Sequence, residues 1–114
     1  MYKFATTYIE PFMDLKTTAD IVGEIFGGIK FRFDENWRFD EFPAYISKDD
    51  IYEYALLGIP DPEYDIRDDP ENIFQLEVYT IRSNSHEGND EGHKDISEEI
   101  AAKINKDGRL TCSV

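Results

Sequence analysis

At Ile29 the apolar residues pass from helical spacing to a period of two, and that switch most constrains what the chain can fold into. Ile29, Phe31 and Phe33 alternate with Lys30, Arg32 and Asp34, the pattern of a half-buried strand. Asp34-Glu35-Asn36 is a plausible hairpin turn, and Trp37-Arg38-Phe39-Asp40 carries the alternation back. Pro43 cannot donate to a ladder, so the returning run is an edge strand or is bulged there. Ser47-Lys48-Asp49-Asp50 is a second turn, and 51–57 (IYEYALL) a further strand closed by Gly58. Residues 58–72 hold three prolines and six acids, which exclude a helix or a central strand and leave a stiff, extended loop. Residues 73–82 (IFQLEVYTIR) form the clearest strand of the chain.

Outside this span the pattern differs. Residues 2–10 (YKFATTYIE) are aromatic and β-branched and suggest a strand that Pro11 ends. Leu15, Ala19, Val22, Ile25 and Phe26 then recur at helical spacing over 14–26, with Asp14 or Thr17 as the cap and Gly27-Gly28 as the stop. Residues 83–94 (SNSHEGNDEGHK) read as a polar loop. Asp95-x-x-Glu98 resembles a capping box before a second helix, whose face carries Ile96, Ile100 and Ile104 and which Asp107-Gly108 ends. Residues 109–114 make a last short strand. The expected order is β-α-β-β-β-β-α-β: an α+β domain, an antiparallel meander with two helices packed on one face. At 114 residues without a repeat or linker, the expectation is a single domain over 1–114.

Charge narrows the function. There are 25 Asp and Glu against 12 Lys and Arg, a net charge of −13, which argues against nucleic-acid binding and against a polybasic membrane surface. Residues 1–33 are neutral, 34–71 carry −10 and 72–114 carry −3. Acidic turns can serve solubility alone. The density of Asp61, Glu63, Asp65, Asp68, Asp69 and Glu71, relieved only by Arg67, and its interleaving with Trp37, Phe39, Phe42, Tyr45, Tyr52, Tyr54 and Tyr64, favours instead a face for a cationic partner. Phe31, Phe33 and Phe39 are assigned to the core. Lys3, Thr6, Thr7 and Glu10 interrupt any apolar leader, no stretch is long enough to span a bilayer, and the lone Cys112 has no disulfide mate, so a cytoplasmic protein is expected.

Catalytic and metal chemistry is not expected. His86 and His93, with Glu87, Asp90 and Glu91, match no tight metal spacing. Read as a calcium loop from Asp61, the acidic stretch has Ile66 and Asn72 where glycine and glutamate are needed. Cys112 has no histidine beside it and reads as a buried, inert thiol. No phosphate-binding glycine loop or nucleophile elbow is present in the sequence. Neither cofactor nor metal is expected, and the chain is read as a non-enzyme.

The tract 39–69 (FDEFPAYISKDDIYEYALLGIPDPEYDIRDD) resembles the small acidic immunity proteins of polymorphic bacterial toxins, especially those of contact-dependent growth inhibition systems. The resemblance implies a stoichiometric inhibitor of a cationic toxin domain, often a nuclease, and carries over no residue-by-residue roles. The partner-binding residues expected from the charge are Asp61, Glu63, Tyr64, Asp65, Asp68 and Asp69 first, then Asp34, Glu35, Asp40 and Glu41. The alternatives are a nucleic-acid mimic aimed at a DNA-binding protein, and a small metal-binding or enzymatic domain centred on 83–94.

Overall fold

A computed structural model describes residues 3–39, 42–60, 63, 73–80 and 96–114. Among the described residues six strands and two helices follow one another as β1 (Lys3–Ile9), α1 (Leu15–Ile25), β2 (Arg32–Phe33), β3 (Ala44–Lys48), β4 (Tyr52–Leu57), β5 (Phe74–Thr80), α2 (Ser97–Asp107) and β6 (Cys112–Ser113). The α+β class and the element order are as the alternation implied. The sheet runs β2-β3-β4-β5-β1-β6, and every neighbouring pair is antiparallel. Consecutive strands β2 to β5 form the meander. β1 then takes the place beside β5, and β6 closes the far edge.

Local chemistry sets the helix ends. Asp14 caps α1: its Oδ1 accepts the Thr17 amide at 2.8 Å, and its carbonyl accepts the Thr18 hydroxyl at 2.8 Å. Gly27 and Gly28 lie at φ 93° and 85°, the left-handed region that ends a helix. The Gly23 carbonyl accepts from the amides of Gly28 (2.8 Å) and Ile29 (3.1 Å), so the chain folds back over Gly23. A methyl group there would stand 2.2 Å from the Ile29 carbonyl oxygen, which explains a glycine inside the helix.

At the start of α2 the Asp95 of the expected capping box lies outside the described residues, and Ile96 is the N-cap, with no side-chain cap hydrogen bond among the described residues. Ser97, one residue further on, turns inward instead and its hydroxyl accepts the Thr6 amide at 3.0 Å, tying the helix to β1. Glu98 and Glu99 in the first turn still complement the positive end of the helix. At the other end Gly108 adopts φ 92° and stops the helix as expected. The Asn105 side chain then pairs with the backbone of Cys112 through both its amide oxygen (2.8 Å) and nitrogen (2.7 Å), fixing β6 against α2.

The two faces of the sheet are unequal. One face presents Ala5, Ile9, Tyr54, Leu56, Phe74, Leu76 and Val78 to Ala19 and Val22 of α1 and Ile100, Ala101 and Ile104 of α2. Each fully buried Leu or Ile there contributes about 1.5–3 kcal/mol. Cys112 belongs to this core, and burial pushes its thiol pKa up. The opposite face has a smaller cluster, Ala44, Ala55 and Leu57, packed by Phe39, Phe42, Ile46 and Tyr79. Beside that cluster Glu77 is buried, and its carboxylate accepts from the Tyr79 hydroxyl and the Gln75 amide.

The β2–β3 hairpin differs most from the expectation. Residues 37–39 are turn rather than strand, and Trp37 has φ 50°. The returning strand starts only at Ala44, after Pro43, whose carbonyl accepts the Gly58 amide at 2.7 Å. The reason is twofold. The Asp34 carboxylate closes a tight turn, and Phe39 and Phe42 are drawn onto the second cluster rather than left in a ladder. β3 continues through Lys48, so the next turn begins at Asp49, two residues later than the sequence suggested.

Candidate partner-binding edge of the sheet

The edge strand β2 and the turn after it hold three of the features singled out by sequence: Asp34, Glu35 and the aromatic interleaving. Asp34 is 3 % exposed. Its Oδ1 accepts the Asn36 amide at 3.2 Å and its Oδ2 the Arg38 amide at 3.0 Å. The Arg38 Nε stands 3.6 Å from the same Oδ2. The carboxylate is therefore spent on organising the turn. Glu35, next along, is exposed.

That turn presents an aromatic pair. Trp37 is 48 % exposed and Phe33 39 % exposed. Their rings meet edge to face at 5.8 Å, and Phe33 meets Tyr45 of β3 in the same manner at 5.6 Å. Phe33 was expected in the core. It stands out because β2 is the outermost strand and pairs only with β3, so its ring has the sheet on one side alone. Phe31 and Phe39 are half-buried, packed on the first and second clusters respectively.

Left-handed backbone is costly for a residue with a Cβ, about 1–2 kcal/mol. Here the Asp34 carboxylate and the Asp34 carbonyl, 3.5 Å from the Trp37 amide, hold the conformation. The next turn uses the same chemistry. Asp49 Oδ1 accepts the amides of Ile51 (2.8 Å) and Tyr52 (2.7 Å), and Oδ2 the Tyr54 hydroxyl (3.0 Å). Partial burial opposes the Asp49 charge, but these hydrogen bonds outweigh it and its carboxyl titrates below the usual value. Burial and the Asp49 bond together push the Tyr54 phenol up.

Of the other expected partner-binding residues, Glu63 is described and exposed. Asp40, Glu41, Asp61, Tyr64, Asp65, Asp68 and Asp69 lie outside the described residues, as do His86 and His93. Among the described residues no group of three or more His, Cys, Asp or Glu is placed to hold a metal, and no helix is long and apolar enough to cross a membrane.

One arrangement at this edge went unread in the sequence. On the face opposite the aromatic pair, Lys30, Arg32, Arg38 and Lys48 line a groove of about 440 Å³ with Glu53 on its wall. The signal was the i, i+2 spacing of Lys30 and Arg32, masked by the net acidity of the tract that follows. Comparison with protein-family models, with curated proteins and with solved structures finds no match.

Proposed function

We propose that this chain is an immunity protein: a stoichiometric inhibitor that binds a cationic toxin domain through the 34–37 edge and the acidic tract reaching to residue 71. The observation that carries the reading is the half-exposed indole of Trp37, held in left-handed backbone by a buried carboxylate. Strain retained at an exposed aromatic supports a role at the surface, since the edge contact with Phe33 returns no more than the strain costs. Trp37 and Phe33 offer the type of anchor that dominates interfaces. Glu35 and the −10 of residues 34–71 would steer a basic partner and speed its capture. Inhibition of this kind takes place in the cytoplasm, with no need for nucleic acid, membrane or cofactor.

The test is calorimetric titration against the toxin domain encoded next to this chain in the source genome. Trp37→Ala is expected to weaken binding by about 30-fold, the loss of a hot-spot aromatic. The combined change of Asp61, Asp65, Asp68 and Asp69 to Asn is expected to slow association and flatten its salt dependence. Unaltered affinity in both variants, or no complex with the neighbouring toxin, would sink the proposal.

A further inference from the structure

Four of the chain's twelve lysines and arginines surround one groove, although the chain as a whole carries −13. Strand pairing brings them there. Arg32 lies opposite Ile46, and Lys48, two residues beyond Ile46 and on the same face, lies opposite Glu53. The Lys30 carbonyl accepts the Ser47 hydroxyl at 2.8 Å, which fixes the approach to β2 beside β3. Arg38 arrives from the turn with its amide held by Asp34, and its Nη2 reaches Glu53 Oε2 at 3.3 Å. Asn36, Ser47 and Ile46 complete the lining. Phe33 and Arg32 are neighbours in β2 and point to opposite faces, so the groove and the aromatic pair share a strand but not a surface.

The charges in the groove are not balanced. Arg38 is shared between Asp34 and Glu53. Lys30, Arg32 and Lys48 have no ion-pair partner among the described residues, in a chain with 25 carboxylates to offer. Like charges around one concavity repel, and an oxyanion relieves that repulsion while taking charge-assisted hydrogen bonds from each. A volume of about 440 Å³ falls among sites for small ligands rather than single ions.

We infer that this groove binds a phosphorylated small molecule. Arg38, held in place from behind, supplies a planar donor fork to the phosphoryl oxygens. Lys30, Arg32 and Lys48 supply charge, and Asn36 and Ser47 neutral polar groups. Glu53 on the wall is paired with Arg38, and it can also accept a hydroxyl or amine carried beside the phosphoryl group. Ile46 gives that ligand one apolar contact. The inference stands apart from the inhibitor reading, and its test needs no partner.

The probe is inorganic pyrophosphate, titrated into the full chain and followed by amide NMR at constant ionic strength, with sodium chloride as the reference titrant. Saturable shifts centred on Arg32, Ile46, Ser47 and Lys48 are expected. The exposed double variant Arg32→Gln/Lys48→Gln, with an unchanged fold by its spectrum, should bind about tenfold or more weakly. The absence of saturable shifts, an equal response to chloride, or unaltered binding by the double variant would overturn the inference. So would a glutamate-rich peptide that occupies the groove when pyrophosphate does not, since the site would then belong to an acidic protein segment.

Discussion

Asp34 holds Arg38 at two points, its Oδ2 accepting the Arg38 amide at 3.0 Å and lying 3.6 Å from the Arg38 Nε. One buried carboxylate thereby sets the backbone of the turn and the direction of the guanidinium. Asp34→Ala leaves the amides of Asn36 and Arg38 without their partner and is expected to cost about 2 kcal/mol in urea denaturation. Trp37 is the only tryptophan, so its fluorescence anisotropy reports the same turn and should fall. Unchanged stability together with unchanged anisotropy would show that the clamp does not matter.

Trp37→Asn separates strain from recognition. Asparagine tolerates the left-handed region, so the change removes a backbone penalty while losing the edge-to-face contact with Phe33. Stability is expected to stay within about 1 kcal/mol of the parent, because the two effects oppose each other. Binding to the cognate toxin should nevertheless fall sharply. A large loss of stability would mean that the indole is structural.

Asp49 gives the protein an acid-sensitive turn. Its folded pKa is lowered, so the stability it contributes is present above the ordinary aspartate value of 3.8 and is lost as pH falls through the folded value. Asp49→Asn should therefore be less stable than the parent at neutral pH, and the gap should narrow between about pH 5 and about pH 1. Thermal denaturation across that range is the measurement. A gap that persists at the acid end would assign the effect to geometry rather than charge.

The link between Asn105 and Cys112 can be read through the thiol. Asn105→Ala removes both hydrogen bonds to the β6 backbone, with an expected cost of about 2 kcal/mol. Cys112 is buried in the parent and should react slowly with a thiol reagent, and faster in the variant as the edge strand opens. Equal reaction rates would indicate that β6 stays in place without Asn105.

Gly23→Ala tests the fold-back after α1. Alanine is the better helix former, so propensity alone favours the change by about 1 kcal/mol. The added methyl would stand 2.2 Å from the Ile29 backbone oxygen, an overlap that side-chain adjustment cannot relieve. A net loss of about 1–3 kcal/mol is expected from calorimetry. Stabilisation would show that the chain between Gly27 and Ile29 yields easily.

Elements whose signals are local were legible before any tertiary structure was known. The alternation from Ile29 marked β2, of which only Arg32–Phe33 form strand, the 51–57 run marked β4, the helical spacing and Asp14 marked α1, and Gly27-Gly28 and Gly108 marked both helix ends. The misread elements are those where a distant group competes with a local one. Ser97 answers to Thr6, ninety-one residues away, a tie that no local pattern announces. Trp37 to Phe39 alternate like a strand, yet Asp34 and the cluster around Ala55 take them into a turn.

The same division holds for the candidate site. Sequence alone determined the element order, the antiparallel meander and the concentration of negative charge in residues 34–71, because periodicity, glycine and proline geometry and charge counts are properties of neighbours along the chain. Tertiary structure decided that Asp34 is buried while Glu35 is not, that Phe33 and Trp37 face outward at an edge, and that four cations share one groove. Each of these depends on which strand lies beside which, and on which buried groups must find hydrogen-bond partners. Neither can be read from composition, since a charge on the chain becomes a site only when pairing places other charges around it.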